Sequence, residues 1–239
     1  MLPIREYLSS GCSNSIRTPH PGQRGVGRMR VLIAGATGTV GQHVVAQALD
    51  RGHEVTAIAR RPESLRTEHP RLRTFAADVL DPDAVEPLLA GVDVVVSTVG
   101  IGTSKQPTTL YSEGTRNLVN GMARHSVSRI VTISSEVADH WAHQSPLKLW
   151  VALPLLQRFL GATYDDMRRM DIVLWESDAQ WTTVRAPYIR DRAGSGSYRI
   201  ATDKPLRRGF SITAPDMATA LLDIVERNDL GRRFVFVAN

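Results

Sequence analysis

The stretch MRVLIAGATGTVGQHVV, Met29 to Val45, decides how the remainder of this 239-residue chain is read. Arg30–Ala34 is a short apolar run, β-branched in part and ended by Gly35, which predicts a strand. Val40, Val44, Val45, Ala48 and Leu49 recur at helical spacing and Gly52 follows, so a helix is predicted over Val40–Asp50. Gly35, Gly38 and Gly41 punctuate the turn between them, and each meets a different demand. The first permits a tight turn, the second lets backbone approach a pyrophosphate without an intervening Cβ, and the third lets the helix pack close to the strand. A helix that starts there offers unpartnered N–H groups and a partial positive charge to phosphate oxygens. A glycine triplet alone is a weak signal. One that follows a strand, opens a helix and begins a β–α series predicts a dinucleotide site.

Outward from this turn the alternation continues. Glu54–Ala59 and Leu72–Ala76 read as strands, and Asp81 followed by Pro82 starts a helix to Ala90. Val92–Val99, nearly all valine, marks a strand buried on both faces. Thr108–His125 is a helix and Arg129–Ser134 a strand. Ala138–Gly161, with two tryptophans and two prolines, is expected to be a loop with helical pieces over a pocket mouth. Tyr164–Ser177 reads as a helix, Trp181–Arg185 as a strand and Arg192–Ser197 as a mobile Gly/Ser segment. Tyr198–Thr202 and Phe210–Thr213 are short strands, Pro215–Asn228 a helix and Arg233–Val237 a last strand. Such alternation implies an α/β protein with a doubly wound, mostly parallel sheet of the Rossmann type. Residues 29–239 form one dinucleotide-binding domain in this reading, with a small C-terminal elaboration.

Residues 1–28 are rich in Ser, Gly, Pro and Arg and show no period of 2 or 3.6. They are expected to be a disordered extension, or to precede the true start at Met29. They lack the apolar core of a secretion signal and the amphipathic helix of a transit peptide. They hold four arginines against one glutamate, so much of the net charge of +5 belongs to the tail. No basic helix with interleaved aromatics supports a nucleic-acid partner. No run of 18 apolar residues is present, so no membrane partner is expected either. The single cysteine, Cys12, excludes an internal disulfide and suits a reducing compartment, which predicts a cytoplasmic protein. Oligomeric state is left open.

The end of the second predicted strand distinguishes the two dinucleotides. An acidic residue there would accept from a ribose 2′-hydroxyl, but the chain has Arg60 and Arg61. Guanidinium groups bind a 2′-phosphate in a fork, so NADP(H) is the expected cofactor, with Arg60 nearer the strand end. Asp78 and Val79 follow the third strand where an adenine ring comes to rest. Gly100 and Gly102 follow the fourth, at the carboxyl edge where open α/β sheets bind ligands.

GATGTVG (35–41) resembles the glycine motif of the atypical short-chain dehydrogenase/reductases, the group with NmrA-like regulators and biliverdin/flavin reductases. DVLDPDAV (78–85), GTSKQPTTLYSEGTRNLV (102–119), VTISS (131–135), YDDMRRMDIVLWES (164–177) and TTVRAPYI (182–189) extend the resemblance over most of 29–239. It implies cofactor contacts at Gly35, Thr37, Gly38, Thr39, Val40, Arg60, Asp78, Val79 and Gly100. It also places Ser135 near the nicotinamide and Pro187 and Tyr188 on the substrate side, making Ser135 and Tyr188 the candidate catalytic residues. Many relatives carry a Tyr-x-x-x-Lys pair, whose lysine lowers the tyrosine pKa for proton relay. Anchored on Leu174 and Ser177, those positions hold Thr163 and Met167. Tyr164 and Arg168 are one residue out of register and read as a surface pair.

Other chemistry is poorly supported. His140 and His143 lack further ligands at metal-binding spacing, so no metal is expected. Ser134–Ser135 lies outside any G-x-S-x-G elbow, which argues against a hydrolase. A sugar-nucleotide epimerase would need the missing Tyr/Lys pair. Two functions remain. One is an NADPH-dependent reductase that passes hydride to a planar conjugated acceptor such as a flavin, quinone or tetrapyrrole. The other is a non-catalytic NADP(H) sensor with a protein partner docked on an apolar segment over 141–160.

Overall fold

A computed structural model describes residues 15–17, 27–102, 106–138 and 153–239. Eleven strands are described: β1 Ser15–Arg17, β2 Arg30–Ala34, β3 Glu54–Ala59, β4 Leu72–Ala76, β5 Val94–Ser97, β6 Arg129–Ser135, β7 Gln180–Ala186, β8 Tyr188–Arg190, β9 Tyr198–Thr202, β10 Ser211–Thr213 and β11 Arg233–Ala238. The α-helices are α1 Gly41–Asp50, α2 Pro82–Val85, α3 Leu110–Arg124, α4 Leu153–Glu176 and α5 Ala214–Val225.

Nine strands form one sheet in the order β1-β9-β11-β7-β6-β5-β2-β3-β4. From β4 to β11 every neighbouring pair is parallel, while β9 and β1 continue antiparallel. The chain leaves β2 in one direction towards β3 and β4 and later returns to β5 on the other side. The crevice between β2 and β5 is therefore the topological switch point. This is the expected doubly wound Rossmann-type sheet.

Two apolar layers hold it. One face carries Val44, Val45, Ala48 and Leu49 of α1 against Met217, Leu221 and Ile224 of α5. The other buries Leu118 and Met122 of α3 with Met170, Val173 and Leu174 of α4, around Trp181. All four residues of β5 are buried, as a strand covered on both faces requires.

Several boundaries differ from expectation. The helix predicted from Asp81 to Ala90 is α2 followed by a 3₁₀ turn, Glu86–Leu89. Asp81 does cap it, accepting from the N–H groups of Asp83 and Ala84. Pro87 then lacks the N–H that would continue the α-helical ladder, and the last turn tightens instead. The predicted loop over 138–161 is helical from Leu153 onward. Pro154 is the second residue of that helix, where a missing N–H has no partner to lose. Ser15–Arg17, within the expected tail, pairs with β9. The Gly/Ser segment at 192–197 is tied at Ser195 and Gly196, whose N–H groups donate to Asp216 at 2.8 and 3.0 Å. Cys12, His140, His143, Trp141 and Trp150 lie outside the described residues.

Candidate dinucleotide site

The turn after β2 is built around the Gly35 carbonyl. Gly35 has φ +78°, and a Cβ there would lie 2.9 Å from the Thr98 carbonyl group. The Gly35 oxygen accepts from Gly38 N–H at 3.0 Å and from the Thr98 hydroxyl at 3.1 Å. That hydroxyl also lies 2.9 Å from the Ala34 carbonyl. A Cβ on Gly41 would collide with the Gly35 oxygen and come to 2.8 Å from Thr98 Oγ1, so the start of α1 abuts strand backbone directly. Val40, the residue before α1, is buried, and Gly38 and Thr39 are exposed. No side chain caps α1 and no acidic residue stands in its first turn. The N–H groups of Thr39, Val40 and Gly41 have no carbonyl partner among the described residues. This is a donor cradle of the kind a pyrophosphate fills.

Register places the other predicted residues around it. Ala34 of β2 stands opposite Ile58 of β3, so Arg60 and Arg61 follow immediately at that edge. Both arginines are exposed, and neither is ion-paired to a described residue. Ala59 pairs with Ala76, which brings Asp78 and Val79 next to them. Asp78 accepts from Leu80 N–H at 3.0 Å. Val79 is buried against Gly114 of α3, and its carbonyl accepts from Asn117 at 2.9 Å. On the opposite side of the switch point Ala34 pairs with Ser97, and the exposed Gly100 follows three residues later. Ser135 pairs with Ala186, so Ser135 and Pro187 lie at adjacent strand ends. The Ser135 hydroxyl accepts from Val137 N–H at 3.2 Å. Tyr188 stands 74% exposed at the start of β8.

Three features were not read from the sequence. The first is Thr98, which pins the glycine turn to β5. The second is Arg185, buried in β7, which donates to Ser134 Oγ and to Asp171, both at 2.8 Å, and lies over the Phe234 ring at 4.7 Å. This network holds the ends of β6 and β7 together directly before Ser135. The third is a packing gap towards the carboxyl ends of β5 and β6, lined by Ser97, Val99, Tyr111, Thr115, Ile133 and Met170 and too tight for a water molecule.

Tyr111, in the first turn of α3, is 7% exposed. Its hydroxyl accepts from Ile101 N–H at 3.4 Å. Burial raises the pKa of this phenol; the Ile101 hydrogen bond partly offsets that, and Asp166 and Tyr164 raise it further. Tyr164 is also buried, at 8% exposure, so the expected surface pair with Arg168 is corrected. The tyrosine turns inward beside Tyr111 while Arg168 pairs with Asp165 at 2.7 Å. Sequence patterning reads Tyr111 simply as a helix residue. Among the described residues no cluster of three or more His, Cys, Asp or Glu is arranged to hold a metal ion.

The fold and the open phosphate cradle define a nucleotide-binding α/β protein. A family model described as NAD(P)H-binding matches residues 35–228, and the chain belongs to that family. The match bears out the expected NAD(P)-binding family and a nicotinamide dinucleotide as cofactor. Among curated relatives, a 3-beta-hydroxysteroid dehydrogenase of Mycolicibacterium neoaurum is 33% identical over 117 residues, 44% of this chain and 32% of that protein. Cinnamoyl-CoA reductase 1 of Oryza sativa subsp. japonica is 35% identical over 121 residues, 46% of this chain and 35% of that protein. The photosystem II assembly factor Ycf39 of Synechocystis is 32% identical over 113 residues, 44% and 33% of the two chains. The matched parts thus span about a third of these relatives. Among solved structures, a wide-type short-chain dehydrogenase/reductase of Veillonella parvula in complex with NADP superposes with a TM-score of 0.74 at 16% identity, covering 88% of this chain and 94% of that one. A Rossmann-fold NAD(P)-binding protein of Shigella flexneri gives a TM-score of 0.67 at 18% identity, covering 89% and 94%. These two likenesses are of fold. No helix among the described residues is long and apolar enough to cross a membrane.

Proposed function

We propose that this protein is an NADPH-dependent reductase acting in the cytoplasm on a planar conjugated acceptor such as a flavin, a quinone or a tetrapyrrole-like ring. The observation that carries the reading is the phosphate cradle at the switch point with Arg60 and Arg61 exposed at its β3 edge. The positions where relatives carry the Tyr/Lys relay hold Thr163 and Met167. NADPH supplies the hydride. An acceptor that spreads the incoming charge over a ring needs little acid–base help, and the protein contributes position and exclusion of water.

Gly35, Thr37, Gly38, Thr39, Val40 and Gly41 hold the pyrophosphate in this scheme. Arg60, with Arg61 beside it, takes the 2′-phosphate as a bidentate donor. Asp78 and Val79 border the adenine. Gly100 lets the cofactor pass close to backbone, Ser135 bonds the carboxamide or the acceptor, and Pro187 and Tyr188 bound the acceptor. Phe210, 68% exposed directly before β10, adds a second aromatic near Tyr188, because β10 pairs with β8. A dehydrogenase and a reductase among the relatives support a redox role.

The test is calorimetric titration with NADPH and NADH, followed by absorbance of the reduced cofactor in the presence of flavin mononucleotide, menadione and biliverdin. Turnover of one acceptor supports the proposal, and inertness towards all three overturns it. An assembly factor among the relatives, together with Thr163 and Met167 in the relay positions, favours a second reading as an NADP(H) sensor. That reading requires unequal affinities for NADP+ and NADPH and a protein partner that binds only one loaded form.

A further inference from the structure

We propose that the acceptor is an anion: a planar ring whose phosphate or carboxylate pairs with Arg208, inside a positive field that Arg190, Arg192 and Arg207 supply. The inference rests on the reductase reading above and narrows its substrate class.

Placement is the first argument. β7 ends at Ala186, opposite Ser135, and the chain passes at once through Pro187 into β8. β10 lies against β8 with Ser211 opposite Tyr188, so Phe210 and the arginines before it arrive at the same edge. Two contacts fix that approach. Gly209 lies against Ala238 at the end of β11, where an added Cβ would come to 3.0 Å from that of Ala238. Asn239 N–H donates to the Ser211 carbonyl at 3.0 Å. The turn that carries Arg207 and Arg208 therefore stands at the carboxyl edge of the sheet, next to the strand ends that carry Ser135 and Pro187. Open α/β sheets bind their ligands along this edge.

The second argument is charge. Between Ala186 and Phe210 the chain holds six basic residues and two acidic ones, while its net charge overall is only +5. One of the two acids, Asp203, is spent on Arg233 at 3.2 Å. Arg190, Arg192, Arg207 and Arg208 are all exposed, and no side-chain partner meets any of them among the described residues. Cations gathered at one edge draw in an anion and raise its local concentration. The guanidinium fork matches a phosphate or a carboxylate. Tyr188 and Phe210, both exposed beside these arginines, offer aromatic faces to a flat ring.

The third is a strained residue. Arg208 has φ +56°, in the left-handed region that glycine adopts freely and arginine does not. The turn is held there by Arg199, whose guanidinium donates to the carbonyls of Arg207 at 2.8 Å, Arg208 at 3.1 Å and Asn239 at 3.0 Å. Glycine at 208 would meet each of these backbone demands without strain. The arginine side chain adds no bond to the described residues, so its use lies outside the fold. Asp216 fastens the loop after Arg192 in the same way, through the N–H groups of Ser195 and Gly196. Both backbones are set before a ligand arrives, and only the arginine side chains remain to be ordered.

The experiment uses the full-length protein with saturating NADPH and acceptors paired so that only charge differs. Flavin mononucleotide is set against riboflavin for a phosphate, and biliverdin against its dimethyl ester for a carboxylate. Menadione is the uncharged control. In the parent, kcat/KM should favour the charged member of at least one pair by about tenfold or more, the worth of one charge-assisted hydrogen bond. That advantage should shrink between about 20 and about 300 mM sodium chloride, because the pairing is exposed to solvent. Arg208→Gly should lower kcat/KM for the charged member about tenfold and leave the uncharged member within about twofold. The same variant should melt about 2 °C higher, since strain leaves with the side chain. A gain in stability paired with a loss of one substrate class is not the mark of a structural residue. If the parent turns over both members of each pair equally, or menadione alone, the anion site is overturned and the reductase reading stands. A charge preference that survives Arg208→Gly overturns the role of Arg208, and so does an equal loss for both members of a pair. If the parent reduces none of the probes, the reductase reading falls and this proposal with it.

Discussion

The Asp166 carboxylate lies 2.9 Å from the backbone nitrogen of Tyr111, across the seam between the two long helices α3 and α4. Thr109, the residue before α3, caps nothing with its side chain; Thr108 Oγ1 accepts from Leu110 N–H, and the next N–H, that of Tyr111, is satisfied by a group 55 residues away. Asp166→Ala leaves two buried N–H groups without their acceptor, while the Ser112 hydroxyl keeps the Thr109 carbonyl. It should lower stability by about 3 kcal/mol and the melting temperature by about 6–12 °C. Asp166→Asn keeps one acceptor oxygen and should lose less than half of that in a thermal melt.

Two glycine substitutions should act in opposite directions. Gly41→Ala drives a Cβ into the Gly35 carbonyl and should weaken NADPH binding at least tenfold in calorimetry, since the cradle must open to admit it. Gly161→Ala, inside α4 with nothing within 4 Å of the added carbon, should raise stability by about 0.5–1 kcal/mol in denaturant titration.

Arg60→Glu should reduce NADPH affinity by about 10–100-fold and leave NADH affinity close to its starting value, because only the 2′-phosphate is affected. Arg61→Glu should do the same to a smaller extent. Equal losses for both cofactors in calorimetry would remove the 2′-phosphate role from this pair.

Acid should weaken the fold in two stages. His53 is buried, with Nδ1 3.3 Å from Met29 N–H and Nε2 3.9 Å from Glu226. Burial lowers its pKa, an effect that nearby Glu226 opposes and Arg51 and Arg71 reinforce. The unfolded chain therefore binds the extra proton first. Stability from His53 is complete above its unfolded pKa near 6.5 and declines as pH falls below that. Asp216 follows. Burial alone would raise its pKa, but hydrogen bonds from Thr213, Ser195 and Asn239 outweigh burial and hold it low. Its share is present above about pH 4 and is lost as pH falls through its folded value. His53→Gln should flatten the first stage of a urea-midpoint-versus-pH curve, and Asp216→Asn the second.

What the sequence reveals depends on how local the physics is. The strand–glycine–helix unit from Arg30 to Asp50 was legible because each requirement is met within a few residues. The same holds for Asp81, which caps the N–H groups two and three positions ahead. Pro87 and Pro154 misled, because a proline stops a helix or starts one according to its place in the first turn. Tyr111 and Asp166 were illegible as a unit, since only the packing of α3 against α4 makes them neighbours. Tyr164 was read from register alone as a surface residue, and its inward turn became visible only beside Tyr111.

The Gly35 carbonyl has one more consequence. It is gripped by Gly38 and Thr98 and covered by Gly41, so the loop that receives the pyrophosphate has its final shape before a nucleotide arrives. Association then spends little free energy on ordering this loop, and affinity at the cradle is set by desolvation and hydrogen bonding. Exchange of spent for fresh nucleotide can proceed without remaking the turn, a preorganised berth that stays open between occupants.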